Sequence, residues 1–130
     1  MTVVLDASAA IEVFLNKPDA ERFKTIISQA DLILTPDTFP SEITNVFWKY
    51  ASYSDFDLKK CESGIKYCLE LIDDFIDTKE ICHEVFSESL KNKHSSYDIF
   101  YLIVARRNNS TILSKDKKLI QVAKSLGISC

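Results

Sequence analysis

Short apolar runs alternate along this chain with segments of helical periodicity, and that order limits the folds it can adopt. Five such runs read TVVLD, LILT, DFIDT, TILS and ISC, and they begin at residues 2, 32, 74, 111 and 128. The first is rich in β-branched residues, as a strand buried on both faces usually is. Strands that alternate with helices predict a parallel sheet with helices on both sides. We therefore expect an α/β protein, a three-layer α/β/α sandwich around a central, mostly parallel sheet of about five strands.

The remaining sequence fits one small globular domain over residues 1–130. The segment SAAIEVFL after the first run predicts a helix with Ser8 as its N-cap. No apolar run is long enough to cross a membrane, and Asp6 interrupts the apolar start of the chain too early for a signal peptide. The four cysteines form no CxxC pair, and a chain with two histidines is a poor candidate for a zinc site. These features indicate a soluble, cytoplasmic protein with reduced thiols.

Four carboxylates stand where strands end or helices begin: Asp6, Glu42, Asp98 and Asp116. Ligands of such sheets bind beyond the carboxyl ends of the strands, where Asp6 and Asp116 are expected. Taken alone, Glu42, Asp98 or Asp116 is explained as well by the helix dipole, which favours an acid in the first turn by roughly 0.3–1 kcal/mol. Asp6 is less well explained by the dipole, because it closes a buried strand with no basic residue nearby in the sequence. The set is harder to explain in that way, because close carboxylates repel one another unless a cation binds. Several oxygen ligands suit Mg²⁺ or Mn²⁺, which promote phosphodiester hydrolysis.

The basic residues are distributed unevenly. Residues 1–90 hold 8 Lys/Arg against 17 Asp/Glu, whereas residues 91–130 hold 8 Lys/Arg and two acids, Asp98 and Asp116. A basic segment beside an acidic site is typical of contact with a nucleic acid backbone, although solvated helix faces explain it as well. The candidate RNA contacts are Arg106, Arg107, Lys115, Lys117 and Lys118.

Four stretches together are similar to one known family. They read VVLDASAAIEVF, PSEITNVF, SSYDIFYLIVA and TILSKDKKL, and they run almost from end to end. In these stretches and in their order, the chain resembles the PIN-domain ribonucleases, in particular the VapC-type toxins of prokaryotic toxin–antitoxin pairs. Each motif alone is weak, whereas four in the right order are fairly specific.

The resemblance implies a metal-dependent endoribonuclease that binds one or two Mg²⁺ or Mn²⁺ ions. It implies that the catalytic and metal-binding residues are Asp6, Glu42, Asp98 and Asp116, with Glu42 acting directly or through water. Ser8, Asn45 and Ser114 match positions that order such a site, although a surface Asn is an equally good interpretation of Asn45. The resemblance further implies that the strands bearing Asp6 and Asp116 are neighbours. It also implies that the chain forms a homodimer, cuts RNA and is bound by an antitoxin protein.

Other classes of protein fit the residues less well. An Asp-nucleophile phosphatase needs a second Asp where Ser8 stands, and a receiver domain needs paired acids after the first strand. A serine hydrolase is disfavoured because no G-x-S-x-G occurs. A catalytically inactive PIN-fold module that binds RNA or protein is the main alternative. The aromatic-rich segment 38–56 provides either core residues or an exposed interface.

Overall fold

A computed structural model describes all of residues 1–130. The four strands are β1 (Thr2–Leu5), β2 (Leu32–Pro36), β3 (Asp74–Ile76) and β4 (Thr111–Leu113). The seven α-helices are α1 (Ala7–Phe14), α2 (Ala20–Gln29), α3 (Phe39–Tyr53), α4 (Leu58–Glu70), α5 (Cys82–Asn92), α6 (Ser96–Arg107) and α7 (Lys117–Ser125). A short 3₁₀ turn at Lys79–Ile81 precedes α5.

The four strands form one parallel sheet in the order β3-β2-β1-β4. The predicted α/β architecture is confirmed, but the predicted count of about five strands is wrong. The ISC segment forms no strand, because only one backbone hydrogen bond connects it to β4, from Ile112 N to Ser129 O at 2.9 Å, beside a side-chain contact between the hydroxyls of Thr111 and Ser129. A single bond does not make a ladder, so β4 is an edge strand.

Helices cover both faces of the sheet. The three residues of β1 that follow Thr2 are fully buried, as expected for a central parallel strand. Helix α6 packs against β1, β2 and β4, and α5 and α7 pack against α6. Helices α1, α3 and α4 pack against one another as a second group. Residues 102–105 of α6 are almost completely buried, in agreement with the uncharged, mostly apolar run from Ile99 to Ala105 in the sequence.

The start of α1 differs from the prediction. Asp6, rather than Ser8, is the N-cap, and its carboxylate accepts the backbone N–H of Ala9. Asp6 takes this position because it still has extended backbone at the end of β1, whereas Ser8 already lies inside the helix. The cap therefore fixes a carboxylate at the carboxyl edge of the central strand.

The neighbouring edge strand brings a second acid to the same edge of the sheet. Strand β1 pairs with β4, with Leu5 opposite Leu113, so the chain leaves both strands at one level. Asp116 follows as the N-cap of α7. The expected adjacency of the strands that carry Asp6 and Asp116 is confirmed. None of the helices has both the length and the apolarity needed to traverse a bilayer.

Candidate active site

The four carboxylates identified in the sequence line one pocket of about 310 Å³ at the carboxyl edge of the sheet. Asp6 and Asp116 reach it from the ends of β1 and β4, and Glu42 and Asp98 from the first turns of α3 and α6. The other residues that line it are Ala7, Ser8, Ile11, Asn45, Val46 and Tyr101. None of the lining residues is basic, so no side chain of the pocket neutralises the acids.

Asp6 is the most deeply buried of the four acids. Its Oδ1 accepts the Ser8 hydroxyl at 2.7 Å and the Ala9 N–H at 2.9 Å. Burial raises the pKa of Asp6 to about 6, and the negative charge of Asp98 adds to the effect, against hydrogen bonds from Ser114, Ser8 and Ala9 that lower it. The raised pKa shows that ionised Asp6 is costly in this pocket without a counter-charge.

Two serines connect the ends of the two strands. The hydroxyl oxygen of Ser8 accepts the backbone N–H of Lys115 at 2.9 Å and lies 3.5 Å from the hydroxyl of Ser114. The Ser114 oxygen in turn accepts the N–H of Asp116 at 3.0 Å. Through these bonds the backbone that bears Asp116 is held against the turn that bears Asp6. This geometry suits the ordering role expected of Ser8 and Ser114.

Glu42 has a partner that the sequence did not reveal. The phenol of Tyr101 donates a hydrogen bond of 2.7 Å to Oε2 of Glu42, from a ring that is almost fully buried. Burial raises the pKa of Glu42, the Tyr101 bond opposes that rise, and the charges of Asp6 and Asp98 add to it. Tyr101 lies three residues after Asp98, so both point to the same side of α6, and this spacing was the available signal.

A histidine lies beside two of the acids, Asp98 and Asp116, at the rim of the pocket. Nδ1 of His94 lies 3.8 Å from Oδ2 of Asp98, and one ligand atom from each of His94, Asp98 and Asp116 falls within 4.8 Å of the others. Burial and the charge of Asp116 raise the pKa of Asp98, and His94 opposes this. Sequence reasoning missed His94 because it precedes α6 and belongs to no periodic pattern.

Three of the five basic residues predicted to contact RNA make ion pairs within the chain. Arg106 and Arg107 both bind Glu84, at 2.7 and 2.8 Å, and Lys115 pairs with Asp19. Two others, Lys117 and Lys118, are exposed at the start of α7. Lys118 lines a groove of about 360 Å³ together with Lys93 and His94. The groove is therefore near the acidic pocket, since His94 lines the groove and lies 3.8 Å from Asp98.

The donor set of the pocket fits a hard divalent cation. Its ligands are mainly carboxylate oxygens, which Mg²⁺ and Mn²⁺ prefer, and one imidazole lies at the rim. Asp6, Glu42 and Asp98 all have raised pKa values because of burial, and each is raised further by a neighbouring acid. A bound cation would remove that penalty. Asn45, exposed one turn after Glu42, adds an amide to the wall.

Comparisons with known proteins agree with this architecture. The sequence profile of the PIN domain family matches residues 3–125. The chain is 26% identical over 126 residues to "Ribonuclease VapC3" of Pyrobaculum aerophilum, and the match covers 93% of this chain and 94% of that protein. The crystal structure of PAE2754, also from Pyrobaculum aerophilum, is similar in fold. It has a TM-score of 0.75 and 18% identity, over 94% of this chain and 84% of the other.

Proposed function

The chain belongs to the PIN domain family, and from this premise we propose that it is an Mg²⁺- or Mn²⁺-dependent endoribonuclease that hydrolyses RNA phosphodiester bonds. The observation that carries the proposal is the set of four carboxylates that share one pocket with no Lys or Arg among its lining residues, and with His94 at the rim 3.8 Å from Asp98. Such a set is costly to maintain in a fold that does not bind a cation. The similarity to a protein named ribonuclease VapC3 supports RNA as the substrate.

Each carboxylate has a distinct role in the proposed site. Asp6, Asp98 and Asp116 would hold the cation, with Glu42 as a further ligand or as the acceptor for a bound water. When bound, the cation would supply positive charge to the phosphodiester and lower the pKa of the attacking water. Ser8 and Ser114 fix the carboxylates of the two strand ends relative to each other. Tyr101 fixes the carboxylate of Glu42.

Phosphates on one side of the scissile bond would lie in the groove lined by Lys93, His94 and Lys118. Lys117 and Lys118 are the better candidates among the predicted RNA contacts, because Arg106, Arg107 and Lys115 already have carboxylate partners. Contacts of this kind are independent of base sequence and weaken as salt is raised.

Removal of the metal tests the proposal directly. We expect the purified protein to cleave a mixed RNA pool in Mg²⁺ or Mn²⁺, to lose cleavage in excess EDTA, and to recover it when the metal is added back. Calorimetric titration with Mn²⁺ would show whether the pocket binds the ion. If the protein neither binds Mn²⁺ at millimolar concentration nor cleaves RNA, it is instead an inactive PIN-fold module that binds RNA or protein.

Tyr101→Phe should weaken the site without emptying it. The variant removes the hydrogen bond to Glu42, so the pKa of Glu42 should rise further, as NMR titration of the carboxyl carbon would detect. We expect Mn²⁺ affinity or cleavage to fall about tenfold, because partners that orient metal ligands typically contribute 10–100-fold. Tyr67→Phe is the control, since it removes a phenol from α4, away from the pocket. Equal affinity and activity in Tyr101→Phe and wild type would exclude the proposed role of Tyr101.

A toxin role in a type II toxin–antitoxin pair also belongs to the proposal. It is supported by the VapC name of the similar Pyrobaculum protein. In that role the protein would act in the cytoplasm, form a homodimer and be inhibited by a small antitoxin. Growth arrest on expression, relieved by co-expression of the product of an adjacent reading frame, would support this role. If expression has no effect on growth, the toxin role is rejected, and the protein is instead a nuclease that processes RNA.

A further inference from the structure

A second cavity adjoins the acidic pocket along helix α3. It has a volume of about 530 Å³, and its lining residues are Pro40, Ser41, Thr44, Asn45 and Trp48. Asn45 also lines the acidic pocket, so the two cavities share a wall. An RNA strand whose phosphodiester lies in the acidic pocket would therefore have this cavity directly beside it, across Asn45.

Helix α3 has two faces of different character. Phe39, Ile43 and Phe47 lie four residues apart and are buried in the core. The cavity face has Ser41, Thr44, Asn45 and Trp48 at the spacing i, i+3, i+4 and i+7, which marks a second stripe along the same helix. This second stripe is polar except for a large aromatic ring at its end. Core packing does not account for it.

Trp48 is accessible at the surface. The residue is 53% exposed and makes an edge-on contact with Tyr53, itself 78% exposed, with ring centroids 5.7 Å apart at 84°. A planar side chain with only two χ angles has little conformational freedom to lose when a flat partner stacks on it. Trp48 lies six residues beyond Glu42, about 9 Å along the helix axis. That places the ring close to the chemistry but outside it.

We propose that this cavity is a nucleobase subsite, in which an unpaired base of the RNA strand stacks on Trp48 while the neighbouring phosphodiester occupies the acidic pocket. The proposal rests on the proposed nuclease function and extends it to single-stranded RNA. A flat base with polar edges matches an aromatic ring beside the hydroxyl of Ser41 and the amide of Asn45. The Thr44 hydroxyl donates to the Pro40 carbonyl at 2.8 Å, so it can offer a base only its oxygen as an acceptor. We prefer a base of the RNA strand to a second protein copy as the occupant, because Asn45 lines both this cavity and the acidic pocket in which the phosphodiester is proposed to lie.

The chain provides its own probe, because Trp48 is its only tryptophan. Fluorescence of the wild-type protein in Mg²⁺, read by stopped flow before the RNA is cut, should be quenched by a short oligoadenylate and much less by an abasic ribose-phosphate chain of the same length. A fully paired RNA duplex should also quench weakly, since its bases are already stacked. Equal quenching by the abasic chain, or no quenching by oligoadenylate, would overturn the stacking proposal.

Kinetics of Trp48 variants provide an independent readout. Trp48→Ala should raise KM for single-stranded RNA about tenfold with kcat little changed, and Trp48→Phe should restore most of the loss. Phe86→Ala is the control, because Phe86 is 63% exposed on α5 and has no place in the subsite. An unchanged KM in Trp48→Ala would reject the subsite.

Cleavage and quenching together distinguish a failure of the subsite from a failure of the nuclease. If the wild type cleaves RNA and Trp48→Ala behaves identically, the nuclease function is supported and the subsite is rejected. If the wild type cleaves no RNA, and its fluorescence is quenched by oligoadenylate but not by the abasic chain, the base-binding subsite is supported and the nuclease function is rejected. Light scattering on Trp48→Ala decides a third case. If that variant alone becomes monomeric, the ring belongs to an interface between two copies, and the subsite is wrong.

Discussion

Asp6→Asn is expected to lower the rate of RNA cleavage more than about 100-fold while the fold is preserved. Outer partners of metal ligands typically contribute 10–100-fold, so the loss of a ligand charge should exceed that range. The substitution is mild in structural respects. Asn still offers an oxygen to the Ser8 hydroxyl and the Ala9 N–H, and Asn is as good an N-cap as Asp. What changes is one negative charge in the pocket.

The same variant should lose its response to metal. A ligand that binds only the folded state stabilises it in proportion to the logarithm of its concentration over Kd. Wild-type protein should therefore melt at a higher temperature in millimolar Mn²⁺, and Asp6→Asn should show little of this shift. The cleavage rate and the melting shift should fall together, because both depend on the same bound cation.

Asp57→Asn is the matched control for Asp6→Asn. Asp57 is also the N-cap of a helix, and its carboxylate also accepts a backbone N–H, that of Lys59 in α4, but it lies outside the pocket. Asp57→Asn should cleave RNA and respond to Mn²⁺ as wild type does. If Asp6→Asn keeps more than about a tenth of the wild-type rate, Asp6 is not an essential ligand. If both variants lose activity alike, the loss reflects altered helix starts rather than metal chemistry.

The parts of the site that could be predicted from the sequence are those governed by strand and helix ends. Asp6 and Asp116 follow buried strands, and Glu42 and Asp98 open helices, so a parallel sheet places such residues near its carboxyl edge. That the strands bearing Asp6 and Asp116 are neighbours was implied by the family resemblance rather than by the pattern. The structure places all four in one pocket. The strand count was less predictable, because three residues such as ISC look the same whether they form a ladder or a single bond.

The parts that could not be predicted depend on contacts between distant residues. Lys115 pairs with Asp19, and Arg107 pairs with Glu84. The partners are too far apart in the sequence for helical or strand periodicity to predict either pair. These ion pairs redirect side chains that looked available for RNA. His94 is positioned by the loop before α6, and Trp48 is exposed by the way α3 packs. Both depend on tertiary packing, which overrides local pattern.

The burial of Asp6 leads to a second large effect, on the pH dependence of stability. Without metal, the folded-state pKa of Asp6 is about 6, against an ordinary value of 3.8. Between these values the folded protein binds more protons than the unfolded chain, so its stability falls as the pH rises. A difference of about two pKa units corresponds to roughly 3 kcal/mol, since each unit is about 1.36 kcal/mol. This destabilisation is complete above the folded-state pKa.

Asn at position 6 has no proton to bind, so the comparison with Asp6→Asn isolates the effect. In EDTA, the free energy of unfolding of wild type minus that of Asp6→Asn should fall by about 2 kcal/mol between pH 4 and pH 7, since part of the full change lies below pH 4. Acids remote from the pocket titrate equally in both proteins and cancel in the difference. The titrations of Glu42 and Asp98 differ between the two proteins, because both carboxylates interact with the charge of Asp6. The measured change in the free energy of unfolding therefore reports the coupled titration of the three acids rather than that of Asp6 alone. Urea unfolding at a series of pH values gives the two free energies.

Metal should reverse this dependence. A cation bound by ionised carboxylates binds more tightly as protons leave, so in Mn²⁺ wild type should become more stable relative to Asp6→Asn as the pH rises from 4 to 7. The sign of the slope then distinguishes a functional metal site from a merely buried acid. A difference that falls with pH to the same extent in EDTA and in Mn²⁺ would mean that Asp6 is buried for structural reasons alone. A difference that is flat in EDTA would mean that Asp6 is well solvated, and the charge-repulsion argument for a bound cation would lose its main support.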